Sequence, residues 1–257
     1  MKIQAQFCFK NGALGGKDFF EFYEDLVRFL PVGFTKNINT EPWCEKKHPK
    51  VIVNAKATDS IIVYDWNSSS FFVGETGSKV RFQSLSISQE AGVLFPSNEH
   101  IEQKIRKDEF VSAFLYHSEY VEIQTAQNSN NILHKNFPER VWATIKDTPS
   151  RPDEFGGMAY DTRFNPGRKT LISYTWLVAA WKMWFGLPFF ELVPRERILS
   201  FPNAYQIKEL PDGNVFVQLY EKVEDSVSLE SMRLQQQWRD WCRYDELIRQ
   251  YGWSDAK

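Results

Sequence analysis

The segment WLVAAWKMWFGLPFF, residues 176–190, holds three tryptophans and three phenylalanines, with Lys182 as its one charged residue. A bilayer span needs roughly 20 apolar residues in an unbroken helix. Here Lys182 interrupts the run, and Gly186 and Pro188 break it. So much apolar surface must therefore be buried in protein or pressed against a partner. The two tryptophan faces of the second half, Trp181 with Trp184 and Phe185, and Trp238 with Trp241, are expected to be core, each indole N–H anchored to a polar partner.

A core of that kind needs a chain long enough to enclose it. At 257 residues and 42% hydrophobic content the chain suffices for one domain of residues 1–257, or for two lobes, 1–125 and 135–257. Seven of the nine tryptophans follow residue 140, which places the bulkier core in the second half. Charge is balanced, with 31 Lys and Arg against 33 Asp and Glu. That balance argues against a surface that tracks nucleic-acid phosphates. Cys8, Cys44 and Cys242 are widely spaced and odd in number, so reduced thiols are expected rather than a disulfide framework or a zinc site. The N-terminus MKIQAQFCFKNGALGG alternates polar and apolar residues and lacks the continuous apolar core of a secretory signal; the expected compartment is the cytoplasm.

Periodicity predicts an α+β fold, mostly antiparallel sheet with flanking helices. Residues 3–9 alternate as a strand, and KDFFEFYEDLVRFL (17–30) has a helical stripe ended by Pro31 and Gly33. VIVNA, SIIVYDW, SFFVG and KVRFQSLSI, between 51 and 87, read as strands of a meander. The first two thirds of 98–124 read as a helix. TAQNSNNILHKNFPER (125–140) reads as a connection, and KDTPSRPDEFGGMAYDTRFNPGRK (146–169) as a long loop whose prolines and glycines exclude regular structure. A strand running into a helix that carries Trp181, Trp184 and Phe185 is expected over the aromatic segment. The firmest local signal is AYQIKELPDGNVFVQLYEKV, two alternating runs around Pro-Asp-Gly, a hairpin. A single helix with the stripe Leu234, Trp238, Trp241, Cys242 and Leu247 or Ile248 closes the chain.

Chemistry-bearing motifs are sparse. His48, His100, His117 and His134 stand alone, without the spacing that fixes a metal from one element. GETGSK (74–79) lacks the phosphate-loop spacing and reads as a turn, and no GxSxG elbow accompanies the serines of NSSS or ISYTW. No catalytic residue, metal or cofactor is assigned. Arg195 and Arg197 flank Glu196 after a helix-starting proline and are expected in an internal salt-bridge cluster. Asp147, Asp153, Glu154 and Asp161 gather in the long loop. They suit a carboxylate metal site, a negative surface that meets a basic partner, or an ordinary solvated loop. As a site, they are taken as partner-binding residues.

Three segments in order, WKMWFG (181–186), FFELVPRERILSFP (189–202) and LPDGNVFVQLYE (210–221), resemble the bacterial polymorphic-toxin immunity proteins of the group numbered fifty-two. The likeness covers about the last third of the chain, and the first half only in its α+β pattern. It implies a cytoplasmic antidote that binds and neutralises a cognate protein toxin, encoded next to it, with a restriction-endonuclease-like nuclease domain delivered by a secretion system. The matched residues Trp181, Trp184, Gly186, Pro194 and Arg195 are expected to determine the fold rather than to form a site. Two other readings stay open: a carboxylate-dependent hydrolase using Asp147, Asp153 or Asp161, and an adaptor or structural component of a secretion apparatus. Oligomeric state is not legible at this level.

Overall fold

The computed structural model describes residues 1–10, 97–106, 108–127, 137–152, 157–172 and 175–252, together with the backbone of 36–38, 51–55, 60–65 and 82–90. The alternating N-terminus forms β1 (Lys2–Lys10). After the short β2 (Lys36–Ile38) come β3 (Val51–Ala55), β4 (Ser60–Asp65) and β5 (Phe82–Glu90), which pair in succession as the expected antiparallel meander. The helix expected over 17–30, the strand at 70–74, the turn at 74–79 and most of the connection at 125–140 lie outside the described residues.

The segment 98–124 departs from its expected helix. Only α1 (Asn98–Lys104) is helical, capped by Ser97, whose Oγ accepts the His100 N–H. The chain then enters β6 (Phe110–His117) and turns into α2 (Ser118–Thr125). Every residue of β6 is buried. A strand covered on both faces has no polar–apolar alternation, so its sequence looks the same as a buried helix.

β6 joins the two halves of the chain. It pairs with β1 on one side and, on the other, with β11 (Lys182–Phe185), which continues to β13 (Val215–Gln218) and the edge strand β12 (Gln206–Glu209). Among the described residues nine strands thus form one antiparallel sheet, in the order β12-β13-β11-β6-β1-β5-β4-β3-β2. The α+β class with antiparallel sheet and flanking helices is what the periodicity predicts. The sheet runs across the 125–135 interval and draws strands from both sides of it.

The aromatic segment is the second correction: residues 182–185 form a strand, not a helix. Cross-strand pairing puts Met183 and Phe185 beside Phe114 and Ser112, whereas Trp184 sits beside Ala113 and Phe216 on the opposite face. Phe185 stacks on Trp238, with ring centroids 5.9 Å apart, and Trp184 packs on Phe216 at 5.0 Å. Both tryptophans are fully buried. The anchoring expected for each indole is met in Trp238, whose Nε1 donates to the Tyr244 hydroxyl at 3.0 Å, but the buried Nε1 of Trp184 has no partner.

Gly186 explains itself at this point. The β1–β6 register shifts between Cys8 and Phe9, leaving Val111 as an extra residue on β6. This bulge turns Phe110 onto the Trp184 face, where it meets Phe9 edge-on at 5.6 Å. The bulged Val111 carbonyl accepts the Gly186 N–H at 2.9 Å. A Cβ on Gly186 would lie 1.9 Å from the Phe110 oxygen, so only glycine fits.

The loop expected over 146–169 contains a small hairpin, β7 (Ser150–Pro152) with β8 (Met158–Tyr160), followed by a 3-10 turn at Thr162–Phe164. A second hairpin, β9 (Thr170–Ile172) with β10 (Thr175–Leu177), replaces the strand-to-helix expectation. Upstream of these lies α3 (Glu139–Trp142), and beyond β11 comes α4 (Arg195–Leu199). Arg195 bonds the Gly213 carbonyl at 3.2 Å and pairs with Glu209 at 2.7 Å, tying α4 to the β12–β13 hairpin. Gly213 has φ +83°, as the Asp-Gly turn requires.

The C-terminal helix is two helices, α5 (Leu229–Trp241) and α6 (Tyr244–Tyr251), parted by Arg243 at φ 56° and ψ 39°. This left-handed residue swings α6 back over the core, where Tyr244 and Leu247 are buried. Two buried guanidiniums, Arg168 and Arg239, reach one carboxylate, Asp245, at 2.5 and 3.3 Å. Burial, and then the neighbouring Arg168 charge, push the Arg239 guanidinium down to about 10.

Trp184→Ala is expected to lower unfolding free energy by about 3–5 kcal/mol, as large-to-small aromatic changes in cores do. Unchanged chemical denaturation would contradict the packing described. A second expectation concerns His117, which caps α2 by accepting the Tyr120 N–H at its Nδ1, while its buried Nε2 has no partner. Burial, and then the Arg140 charge, push its imidazole down to about 4. A folded value below the unfolded one near 6.5 means that stability is present above the unfolded value and lost as pH falls through about 6.5 to 4, by about 3 kcal/mol in all. His117→Asn keeps a capping oxygen and should flatten that part of a melting-temperature profile against pH.

Candidate functional site

The side chains that shape the surface beyond the sheet are positioned from α2. Gln124 is fully buried, and its amide reaches in two directions. Its Nε2 donates to the Thr144 hydroxyl at 3.1 Å and carbonyl at 3.3 Å, fixing the 3-10 turn Ala143–Ile145 that continues α3. Its Oε1 accepts the Gly167 N–H at 3.1 Å, and its carbonyl accepts Nδ2 of buried Asn165 at 2.9 Å. Asn165 in turn accepts the Thr148 hydroxyl at 2.7 Å. One residue thereby holds the two loops that face each other, 143–148 and 161–167. Gly167 fits because it lies flat against Tyr120: a Cβ there would be 2.4 Å from the ring.

Between these loops and the start of α5 runs an open groove of about 410 Å³. Phe164, Pro166, Val227, Leu229 and Met232 give its apolar lining, and Thr144, Lys146, Asp147 and Thr148 its polar side. Phe164 is 63% exposed and Leu229 72%, the most exposed large apolar residues among those described. A second depression of about 340 Å³ opens on the other side of the Ala143 and Lys146 ridge, lined by Glu139, Trp142, Ile145 and Tyr160.

The acids singled out by the sequence separate here. Asp147 is exposed and lines the groove. Asp161 is held by Arg163, whose Nε and Nη2 donate to its two oxygens at 2.8 and 2.5 Å. That hydrogen bonding keeps the Asp161 carboxyl below the ordinary carboxylate range. Its Oδ1 also accepts the Arg163 N–H, so the carboxylate organises the 162–164 turn. Asp153 and Glu154 lie outside the described residues. Among the described residues no group of three or more His, Cys, Asp or Glu side chains could hold a metal ion.

Sequence reasoning passed over Phe164, Leu229 and Met232. The available signal was phase: Leu229 falls off the stripe of Leu234 and Trp238, and Phe164 has no periodic neighbour. It also missed a buried amine on the sheet's C-terminal face. Lys169 Nζ donates to Gln6 Oε1 at 3.3 Å and Tyr116 Oη at 3.2 Å, with the Trp176 ring 4.5 Å below it. Burial pushes this amine down to about 8, with the Cys8 and Glu122 charges acting weakly the other way. The Lys169 N–H reaches the Thr125 hydroxyl at 2.9 Å, so this residue pins the end of the 161–169 loop to α2.

No helix among the described residues is long and apolar enough to cross a membrane. Comparison with protein-family models, curated proteins and solved structures gives no match.

Gln124→Ala should destabilise the fold by about 2–3 kcal/mol, because the Gly167 N–H and the Thr144 groups lose their buried partner together. Hydrogen exchange at Gly167 should speed up in that variant. Protection equal to wild type would mean that the two loops are held independently of Gln124.

Proposed function

We propose that this chain is a cytoplasmic immunity protein that neutralises a cognate secreted toxin, a nuclease of the restriction-endonuclease-like kind, by stoichiometric binding. The observation that carries the binding reading is the groove beside Asp147, where Phe164 and Leu229 stand out to solvent over walls fixed from behind by Gln124. Exposed large apolar side chains on a rigid frame favour a protein partner, since little ordering entropy is lost when they dock. The class of partner comes from the resemblance of residues 181–221 to polymorphic-toxin immunity proteins, whose matched residues here, Trp184, Gly186 and Arg195, serve packing and hairpin attachment.

A carboxylate-dependent hydrolase would need two of the loop acids to act together. Asp161 is already bound bidentately by Arg163, which weighs toward binding and against hydrolysis.

The test is co-expression with the product of the neighbouring gene. A 1:1 complex on size exclusion with light scattering, and DNA cleavage abolished at equimolar protein, are the expected results. Cleavage that continues at a several-fold excess of this chain would refute the antidote reading.

A further inference from the structure

We infer that the toxin docks across both depressions at once, through a segment that presents two apolar side chains bracketed by basic residues. This rests on the antidote reading and names the chemistry of the partner at that site. The two depressions are neighbours, sharing Ala143 and Lys146 as the ridge between them. Each has an apolar lining: Trp142, Ile145 and Tyr160 on one side, and on the other Val227 and Met232, with Phe164 and Leu229 standing exposed at the rim. A pair of adjacent apolar pockets suits two anchor side chains from one element of the partner.

The charges choose the flanks. Lining residues that carry charge are Glu139 in one depression, Asp147 in the other and Lys146 between them. All three are exposed, and none forms an ion pair among the described residues. Nearby Arg163 is neutralised by Asp161. One unpaired carboxylate therefore stands in each depression, on either side of the single amine. A partner with cations outside its two anchors gains at both, and one with acids there is repelled at both. A nuclease, which holds phosphates with basic residues, has side chains of the required sign to offer.

The ridge is stiff enough to serve as a template. Thr144 donates to the Val141 carbonyl at 2.7 Å while accepting from Gln124, and Ile145 and Val141 are buried beneath it with Ile123. Phe137 meets Trp142 edge-on at 6.1 Å, fixing one pocket wall.

The experiment measures association of a catalytically inactive form of the neighbouring-gene nuclease with this chain, by biolayer interferometry at two salt concentrations. Phe164→Ala and Leu229→Ala should each weaken binding about tenfold or more, with melting temperature unchanged because both side chains are exposed. The double variant Glu139→Lys, Asp147→Lys should slow association about tenfold at low salt and less at high salt. Tyr205→Ala, exposed beside the edge strand β12, should bind as wild type does. Wild-type affinity in the groove variants, with loss in Tyr205→Ala, would overturn the docking surface and leave the antidote reading standing. Absence of binding by the wild-type chain would overturn that reading and this inference with it.

Discussion

The strand β6 sets the terms for the rest of the molecule. All of its residues are buried, so both faces of the sheet at its centre must be covered, and each face draws on a different part of the chain. On one face α1 brings Ile101 and Ile105 into the core, while Lys182 bonds Asn98 and Lys208 bonds Glu102 around its edges. On the other face α2, the β9–β10 hairpin, Phe189, Ile198 and the two C-terminal helices close over Phe114 and Phe185, with Trp238 of α5 stacked on Phe185. The division of aromatic residues between the faces follows from the pleat and from one bulge at Val111. Moving that bulge by one residue would exchange the sides of Phe110 and Val111 and leave Gly186 with no reason to be glycine.

Covering a sheet with irregular loops brings buried polar groups, and these are satisfied in chains rather than singly. Tyr120 donates to Gln235 at 2.6 Å, Gln235 to Tyr220 at 3.2 Å, and Tyr220 shares a hydrogen with Ser226 at 3.0 Å. This line crosses from α2 to α5 under the same surface that Gln124 supports. The groove is thus an outcome of polar satisfaction below it: loops 143–148 and 161–167 stand where their buried donors find acceptors, and the gap between them is what remains. The apolar residues at its rim, Phe164 and Leu229, then stand exposed.

How much of this is legible in the sequence depends on where polar residues fall. Strands that alternate polar with apolar residues, as β1 does with Gln4 and Gln6, or that are bounded by Asp, Ser and Gly turns, declare themselves: β1, β3, β4, β5 and the β12–β13 hairpin. Where that alternation is missing, as in the buried run of β6 and in β11, the sequence reads equally well as a buried helix. The break at Arg243 was invisible because a left-handed arginine leaves no mark in composition; it is held by packing of Tyr244 and Leu247. At the site, Asp147 was legible as a loop acid, and its neighbours Phe164 and Leu229 were not, since their meeting depends on hydrogen bonds between residues tens of positions apart. Asp161 was legible as an acid but its engagement by Arg163 was not, although the two lie two residues apart.

Arg168 comes from one stretch of the chain and Arg239 and Asp245 from another, and the two arginines depend on the one carboxylate. Two guanidiniums share one half-exposed carboxylate, and the buried Nε of Arg239 has no partner at all. Substituting Asp245 strands two buried guanidiniums, substituting either arginine leaves a one-to-one pair, and replacing all three by apolar groups of matching volume removes the conflict. Their effects are therefore coupled rather than additive. In descent, such a trio is an epistatic knot with a direction: an arginine can be lost first, but the carboxylate only after the arginines, so lineages that lack an acid at Asp245 should also lack Arg168 and Arg239.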